Sequence, residues 1–484
     1  MRLTSLVEQL LLLLEKRKQP MHVGGLFLFD IPTSYPTSDP CPSNELSNKA
    51  DATYYASTSG SHFVKALAQQ IRHANIQPTF PFNQVLHNLT VWKPSHKFDS
   101  YYHFHHTILP KPHSVTRFLK YISDVHSNIL DKAHPLWECH LIEGIEPEVE
   151  GQPQRFALYF KIHHALVDGI AAMRLVERSL SPLATETMSL PPWALLSRHP
   201  TNLERIAPPK RKVTQLLKEQ VASIKPVLQE LKHDHQQRDT PGYVSTLQAP
   251  SSPLNQKITQ SRQLLTADIK LSRLQRLADE LSSTDLKLSL NDVILAVCSG
   301  ALRQYLLELD ELPDKPLTAF VPVSLRKDDS ASGNQASLVL CNLGTHFVDA
   351  RQRLQAIHDS MTVGKDKFGR MQQTQVINYS AVAYAWEGLN LLTNLYPKKQ
   401  AYNILISNIP GPKQPLYWNG AKLSALYPAS ILLDGQALNI TLASYLDQLH
   451  VGILGCDDIL PHLERLPELL EQALKQLEAL VDSD

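Results

Sequence analysis

Phe156-Ala157-Leu158-Tyr159-Phe160-Lys161-Ile162-His163-His164-Ala165-Leu166-Val167-Asp168-Gly169 is the stretch from which the fold is read. Up to Ile162 the residue pattern predicts a strand, and from Gly169 to Leu180 a helical pattern takes over. A strand, a short polar turn and a helix make an α/β unit that displays its turn side chains at a strand end. Parity along the strand puts His164 on the side of Ile162, Phe160 and Leu158, and His163 on the side of Lys161 and Tyr159. An imidazole in an apolar space is favoured in its neutral form, and an ordinary pKa near 6.5 suits proton removal from a hydroxyl. Asp168 lies past the strand end, where it can hold the loop by pairing with an arginine, and Gly169 permits a tight turn. The same letters also have a plain structural reading, since a His-His pair is commonly packing and Asp-Gly is a common turn. Zinc fits poorly, because adjacent histidines on a strand point to opposite faces and cannot both ligate one ion.

Working outward, Val23 to Ile31 reads as a strand, followed from Pro32 to about Ser61 by a polar stretch expected to form a surface loop. His62 to Ile76 and Ser114 to Leu130 read as helices. The second places Val115, Phe118, Leu119, Ile122, Val125 and Ile129 on one face, with Ser114 as N-cap. Leu290 to Leu306 reads as a helix capped by Ser289, Leu317 to Leu325 as a strand, Ala437 to Tyr445 with Leu449 to Leu454 as a hairpin, and Pro461 to Val481 as a closing helix. The composition shifts between about Pro191 and Ser252, where Lys210-Arg211-Lys212 precedes an amphipathic stretch from Leu216 to Leu231. The expected organisation is a domain over 1–195, a crossover linker over 196–258 and a second domain over 259–484, in an α/β (α+β) class with mixed sheets flanked by helices.

The 484 residues exceed one ordinary core, and 43% hydrophobic with 19% charged residues fits a folded globular chain. Lys+Arg and Asp+Glu balance at 47 each, which leaves no electrostatic footprint for nucleic acid. Five scattered cysteines without a C-x-x-C pair suggest a reducing compartment, with neither a zinc site nor a disulfide framework. Leu10 to Leu14 follows Glu8-Gln9 and runs straight into Glu15-Lys16-Arg17 with no small-residue cleavage site, so it reads as a short buried helix rather than a signal peptide. No run approaches the roughly 18 apolar residues of a membrane span.

Other clusters carry weaker signals. His103, His105 and His106 lie in an aromatic stretch read as a strand, where i and i+2 histidines share a face, but no acidic or thiolate ligand lies nearby in sequence. Pro135-Leu136-Trp137 reads either as tunnel lining or as packing. Lys210 to Lys212 and Lys398-Lys399 read as contacts for phosphate or anionic lipid, or as a solvated face. No G-x-S-x-G elbow occurs, which argues against a serine hydrolase.

The H-H-x-x-x-D-G signature resembles that of the coenzyme A-dependent acyltransferase superfamily, which includes chloramphenicol acetyltransferase and peptide-synthetase condensation domains. More of the chain is similar to the bacterial wax ester synthase/diacylglycerol acyltransferase family. The likeness is carried by Glu15-Lys16-Arg17 with Pro20-Met21-His22-Val23-Gly24-Gly25, by Pro135-Leu136-Trp137 and by Asn291-Asp292. Further matches are Gly333-Asn334, Ser407 to Pro412, and Gln436 to Thr441 leading to Ser444-Tyr445. The polar insertion after Pro32 is longer than that pattern needs, and Leu10 to Leu14 is more uniformly leucine.

The resemblance implies two chloramphenicol-acetyltransferase-like halves with an active-site tunnel between them. His164 is then the general base, beside His163, and Asp168 is structural, with Arg326 as its candidate partner. Asn291 and Asp292 match a motif needed for activity, and Asn291 is either an oxyanion donor or a helix cap. The implied reaction moves a long-chain acyl group from acyl-CoA to a fatty alcohol or to diacylglycerol by direct attack, without cofactor or metal. The implied place is cytoplasmic, in peripheral contact with the inner membrane or lipid inclusions. The rival readings are a condensation-type enzyme using carrier-protein thioesters and a non-catalytic lipid-droplet protein that would tolerate loss of His164.

Overall fold

The computed structural model describes residues 2–32, 62–72, 77–88, 90–95, 97–145, 153–167, 169–186, 191, 193–194, 229, 232–233, 236–237, 240–246, 248–284, 286–324, 336–371, 373–384, 390 and 400–482. The Lys210 run, the amphipathic linker stretch up to Leu228, Lys398-Lys399 and most of the insertion after Pro32 lie outside these residues.

Two compact units emerge, and they are not consecutive halves. The first comprises Met1–His199, Ile409–Ile431 and Ala443–Leu446, and the second Pro200–Asn408, Leu432–Leu442 and Asp447–Asp484. The first break falls at 199. Residues 409–431, placed by sequence in the second domain, belong instead to the first. The reason is strand pairing: Ala421–Ala429 runs antiparallel to His22–Asp30, so Leu423 meets Phe29 and Leu426 meets Phe27.

The first unit is built on a six-stranded sheet. In spatial order its strands are Tyr417–Trp418, Ala421–Ala429, His22–Asp30, Arg155–His163, Trp137–Ile145 and Phe104–Ile108. All neighbouring pairs are antiparallel except the last, which is parallel. Phe156, Leu158 and Ile162 face a core with Phe27, Phe29 and Trp418, where Phe29 stacks on Phe156 at 5.2 Å. Burying each such side chain is worth about 1.5–3 kcal/mol. The segment 62–72 is helical and adds Phe63, Val64 and Leu67 to this core.

The helix Val115–Ser127 begins as the sequence predicts: Ser114 Oγ accepts from Arg117 N at 3.3 Å. Its buried face differs from the predicted one. Phe118, Ile122, Ser123 and His126 are buried, whereas Val115 and Ile129 are exposed. The contact face turns toward His126 because polar partners wait for it on the sheet. A small sheet of Arg2–Leu3, Val91–Pro94 and Gln84–Asn88 adjoins the helix Leu6–Leu14. That helix was expected to be buried, yet among its described side chains Leu12 and Leu14 are buried while Val7, Leu10 and Leu13 are exposed.

The second unit has its own six-stranded sheet, in the order Ala336–Asn342, Thr318–Ser324, Ile404–Ile409, Leu438–Tyr445, Gln448–Gly455 and Gln263–Lys270. The hairpin reverses at Leu446, whose φ is 54°. The helix Leu290–Glu308 is buried from Asp292 to Leu302 and packs between Ala350–Gly369 and Leu466–Asp482. Gly300 lets the last of these approach, since a Cβ there would stand 2.8 Å from Ala473 Cβ.

Candidate active site

The motif strand Arg155–His163 ends one residue before His164. Strand parity therefore holds through His163 and stops there, and His164 opens a turn over 164–166. Two backbone hydrogen bonds fix the exit of the chain. His163 N donates to Leu136 O at 2.9 Å, and His164 N donates to Met21 O at 2.9 Å. The segments Pro135-Leu136-Trp137 and Pro20-Met21-His22 thus hold the two motif histidines from opposite sides. His164 is half-buried at the head of the turn, a position from which an imidazole can meet both protein and substrate.

His163 is fully buried and has a different task. Its Nδ1 accepts from Ala165 N at 3.1 Å, which places the ring proton on Nε2. Nε2 faces Glu15 Oε1 at 3.4 Å, and Glu15 Oε2 lies 2.9 Å from Lys132 Nζ. The Glu15 side chain is only 1% exposed. Burial acts to raise its pKa, but His163 and Lys132 outweigh it and hold the carboxyl below the usual range. The Ala165 N–H thus sets the tautomer of His163 and closes the turn carrying His164, with the buried Glu15 carboxylate facing the ring from the other side. In the sequence Glu15 stood out only as part of a family segment. Its pairing with a histidine so far along the chain leaves no local signal.

Asp168 and Arg326, the expected ion pair, lie outside the described residues, as do Gly333-Asn334. Gly169 starts the helix Gly169–Ser179 without a left-handed φ. A Cβ there would meet Ile409 Cδ1 at 3.2 Å, so the glycine serves close packing rather than a tight turn. The neighbouring Gly411 is closer still to its surroundings: a Cβ would lie 2.1 Å from Ser444 O, and Gly411 N donates to Ser444 Oγ at 3.0 Å. Gly411 and Ser444 therefore meet beside the motif helix, where Met173 also lies near Gly411.

Asn291 and Asp292 belong to the second unit. The helix cap is Ser289, as the sequence predicts, and Asp292 completes a reciprocal capping box by accepting from Ser289 N at 2.8 Å. Asn291 is therefore not the cap, and it sits half-buried at the second helical position. Asp292 Oδ2 also faces His358 Nδ1 at 3.2 Å, and its Oδ1 is buried without a hydrogen-bond partner among the described residues. Trp137 is wholly buried, donates to Phe82 O at 2.8 Å and stacks on His103 at 4.4 Å, so it packs the core.

Behind the motif strand lies a polar layer that the sequence did not reveal. Lys161 Nζ is buried and donates to Val125 O at 3.0 Å and Asn128 O at 2.6 Å, at the carbonyl end of the helix Val115–Ser127. His126 Nε2 meets Ser430 O at 2.9 Å, so it carries the proton and Nδ1 accepts from the Tyr159 hydroxyl at 2.6 Å. His22 Nε2 donates to His126 O at 2.8 Å, and burial, with Lys161 nearby, holds its pKa well below the ordinary value. Gly24 leaves room for this layer, since a Cβ there would stand 2.3 Å from the Tyr159 hydroxyl.

The histidines at 103–106 separate. His103 lies in the short helix Ser100–His103 rather than on the strand, donates from Nδ1 to Trp137 O at 2.8 Å, and is pushed down to about 4 by burial. His106 faces Glu143 at 2.5 Å. His105 instead stacks on His140 at 4.5 Å, and with Glu138 the two form a group whose ligand atoms lie within 4.8 Å of one another. A cation would fit that spacing. However, Lys161 Nζ already stands 3.6 Å from Glu138, and the Tyr121 hydroxyl meets His140 Nδ1 at 3.1 Å. The carboxylate charge is thus met by an ammonium.

Comparison with known proteins places this arrangement. The wax ester synthase/diacylglycerol acyltransferase catalytic-domain model matches residues 5–294, and the C-terminal-domain model of the same family matches residues 332–478. The chain belongs to the wax ester synthase/diacylglycerol acyltransferase family. An O-acyltransferase of Acinetobacter baylyi is 44% identical over 98% of this chain and 96% of its own. A putative diacylglycerol O-acyltransferase of Mycobacterium tuberculosis is 36% identical over 99% of each. The solved wax ester synthase/diacylglycerol acyltransferase from Marinobacter aquaeolei VT8 superposes over 100% of both chains with a TM-score of 0.75 and 36% identity. A condensation domain of the CDA synthetase, at 14% identity and a TM-score of 0.53, shares the fold.

As a wax ester synthase/diacylglycerol acyltransferase family member, the chain is an acyltransferase. Such a reaction needs a base near neutrality and a rigid mount for it. The motif turn has a half-buried imidazole whose two neighbouring backbone groups are fixed, while the adjacent imidazole is held in a single tautomer.

Proposed function

We propose that the chain transfers a long-chain acyl group from acyl-CoA to a fatty alcohol, giving a wax ester, and to diacylglycerol, giving triacylglycerol. His164 is the general base. Its imidazole takes the hydroxyl proton as the acceptor oxygen attacks the thioester carbonyl, and the tetrahedral intermediate collapses with loss of the C–S electron pair to the CoA thiolate. The imidazolium returns its proton to that sulfur, so the base is regenerated. Base catalysis of this kind contributes about 10²–10⁴-fold. Asn291 is assigned the oxyanion-stabilising role, Asp168 a structural one with Arg326, and Asp292 holds the helix start.

The observation that carries the reading is the placement of His164 on a turn fixed through Met21, Leu136 and the Glu15–His163 contact. Direct attack is supported by the state of the thiols: burial pushes Cys298 and Cys341 up to about 12, so neither offers a thiolate for an acyl-enzyme. No described helix is long and apolar enough to cross a membrane. The reading therefore has the enzyme meeting its lipid substrates from the surface of a membrane or lipid inclusion.

Initial rates of CoA release with palmitoyl-CoA against hexadecanol and against dioleoylglycerol test the reading. Intersecting double-reciprocal lines and no mass increase of the protein are expected. Ping-pong kinetics or a trapped acyl adduct would refute direct attack, and activity confined to short polar acceptors would refute the lipid assignment.

A further inference from the structure

The helix Leu6–Leu14 is apolar on two sides. Its inner side places Leu12 in a cluster with Trp92, Leu130, Leu136 and Ala165, so the helix lies directly on the motif turn. Its outer side presents Val7, Leu10 and Leu13 at 67%, 42% and 55% exposure, continued by Leu3 at 77%. Three-residue spacing lines the helical trio along one ridge. The charge within the helix, Glu8, is turned away from that ridge: it caps Ser5, accepts from Trp92 Nε1 at 3.0 Å and pairs with Arg2 at 2.8 Å. Exposed Lys16 and Arg17 follow the helix within three residues of its last turn. The capping box and the Leu12 anchor hold the ridge outward, so it is a built surface and not a frayed end.

We propose that this ridge is the surface by which the protein docks on an anionic phospholipid layer, with Val7, Leu10 and Leu13 entering the acyl boundary and Lys16 and Arg17 meeting the headgroups. An uncharged apolar ridge followed by cations is the pattern an interfacial helix requires. The proposal rests on the lipid-transfer reading and deepens it. Because Ala165 lies under the same helix, docking brings the turn that carries His164 within one helix thickness, about 10 Å, of the lipid.

Flotation of the full chain with vesicles tests the proposal. Vesicles of phosphatidylcholine with phosphatidylglycerol are compared with phosphatidylcholine alone, using Val7→Ser/Leu10→Ser/Leu13→Ser and Lys16→Glu/Arg17→Glu. The triple variant should bind at least about tenfold less to both. The charge variant should lose the preference for phosphatidylglycerol. Both should keep wild-type CoA release on water-soluble octanoyl-CoA and octanol, which also shows that they fold. A triple variant that floats like wild type overturns the proposal, as does a wild-type protein that transfers acyl groups but does not float. A wild-type dimer that the triple variant dissociates, with flotation unchanged, assigns the ridge to a second copy and also overturns it. Flotation as expected, without acyl transfer to any alcohol, refutes the enzymatic reading alone.

Discussion

The two six-stranded sheets treat polar groups in opposite ways. In the first, Glu138, His140, Tyr159, Lys161 and His163 line one side of adjacent strands, with His22 and His126 against them. In the second, the buried strand residues are almost all uncharged. His450 is the exception among the described residues, and it reaches Asp268 at 2.6 Å near the sheet edge. Buried ionic groups add little net stability against apolar ones, yet removing one partner is costly. The first sheet therefore retains groups that fix a geometry, and that geometry ends at the turn bearing His164. The second sheet buries neutral polar groups such as Thr318, Ser337, Asn439 and Thr441 among its apolar side chains, but hardly any titratable ones.

The sharpest way to break this contrast is at the base itself. His164→Ala should lower turnover by about 10²–10⁴-fold with an unchanged melting temperature. Purified variant with near-normal turnover would remove the first sheet's special status. Next in size is Glu15→Ala, which leaves His163 and Lys132 without their buried partner. A loss of about 1–3 kcal/mol is expected in urea unfolding, with reduced turnover in the folded fraction. Asp268→Ala, whose carboxylate is half-exposed, should cost no more than about 1 kcal/mol by the same measurement. Equal losses would erase the distinction between the sheets.

Acid should act on the first sheet before the second. His22, His103 and His140 are held below the ordinary histidine value by burial, His103 at about 4. In the unfolded chain each takes a proton below about pH 6.5, while in the folded chain each stays neutral. Their contribution is thus present above about pH 6.5 and is lost as the pH falls toward about 4. Urea midpoints measured at intervals across that window should drop, and His103→Asn should drop less steeply. A flat profile in the parent protein would contradict the neutral layer. A similarly small effect is expected at the other unit's helix start, where Ser289→Ala should cost about 1 kcal/mol. A larger loss there would mean that Asp292 depends on its cap for more than helix stability.

Local features were legible in the sequence, and distant pairings were not. The motif strand, the helix after it, the Ser114 and Ser289 caps and the hairpin before Gln448 all depend on residues within a few positions of one another. The family likeness, carried by short segments, pointed to acyl transfer for the same reason. Nothing local announces that Glu15 faces His163, or that Lys161 ends on the carbonyls of Val125 and Asn128. The rotated face of Val115–Ser127 has the same origin, since His126 is buried by partners at Tyr159 and Ser430 rather than by its own periodicity.

The pairing of Ala421–Ala429 with His22–Asp30 also bears on how the chain reaches its fold. During synthesis the strand at 22–30 leaves the ribosome about 400 residues before its neighbour, a wait of roughly 20–80 s at about 5–20 residues per second. Throughout that time one edge of a sheet rich in Phe and Leu has no partner, and an open apolar edge invites pairing with other chains. The nascent protein should therefore depend on chaperone cover until its last quarter emerges. A version cut at the linker should aggregate when expressed alone and recover when the segment 409–431 is supplied.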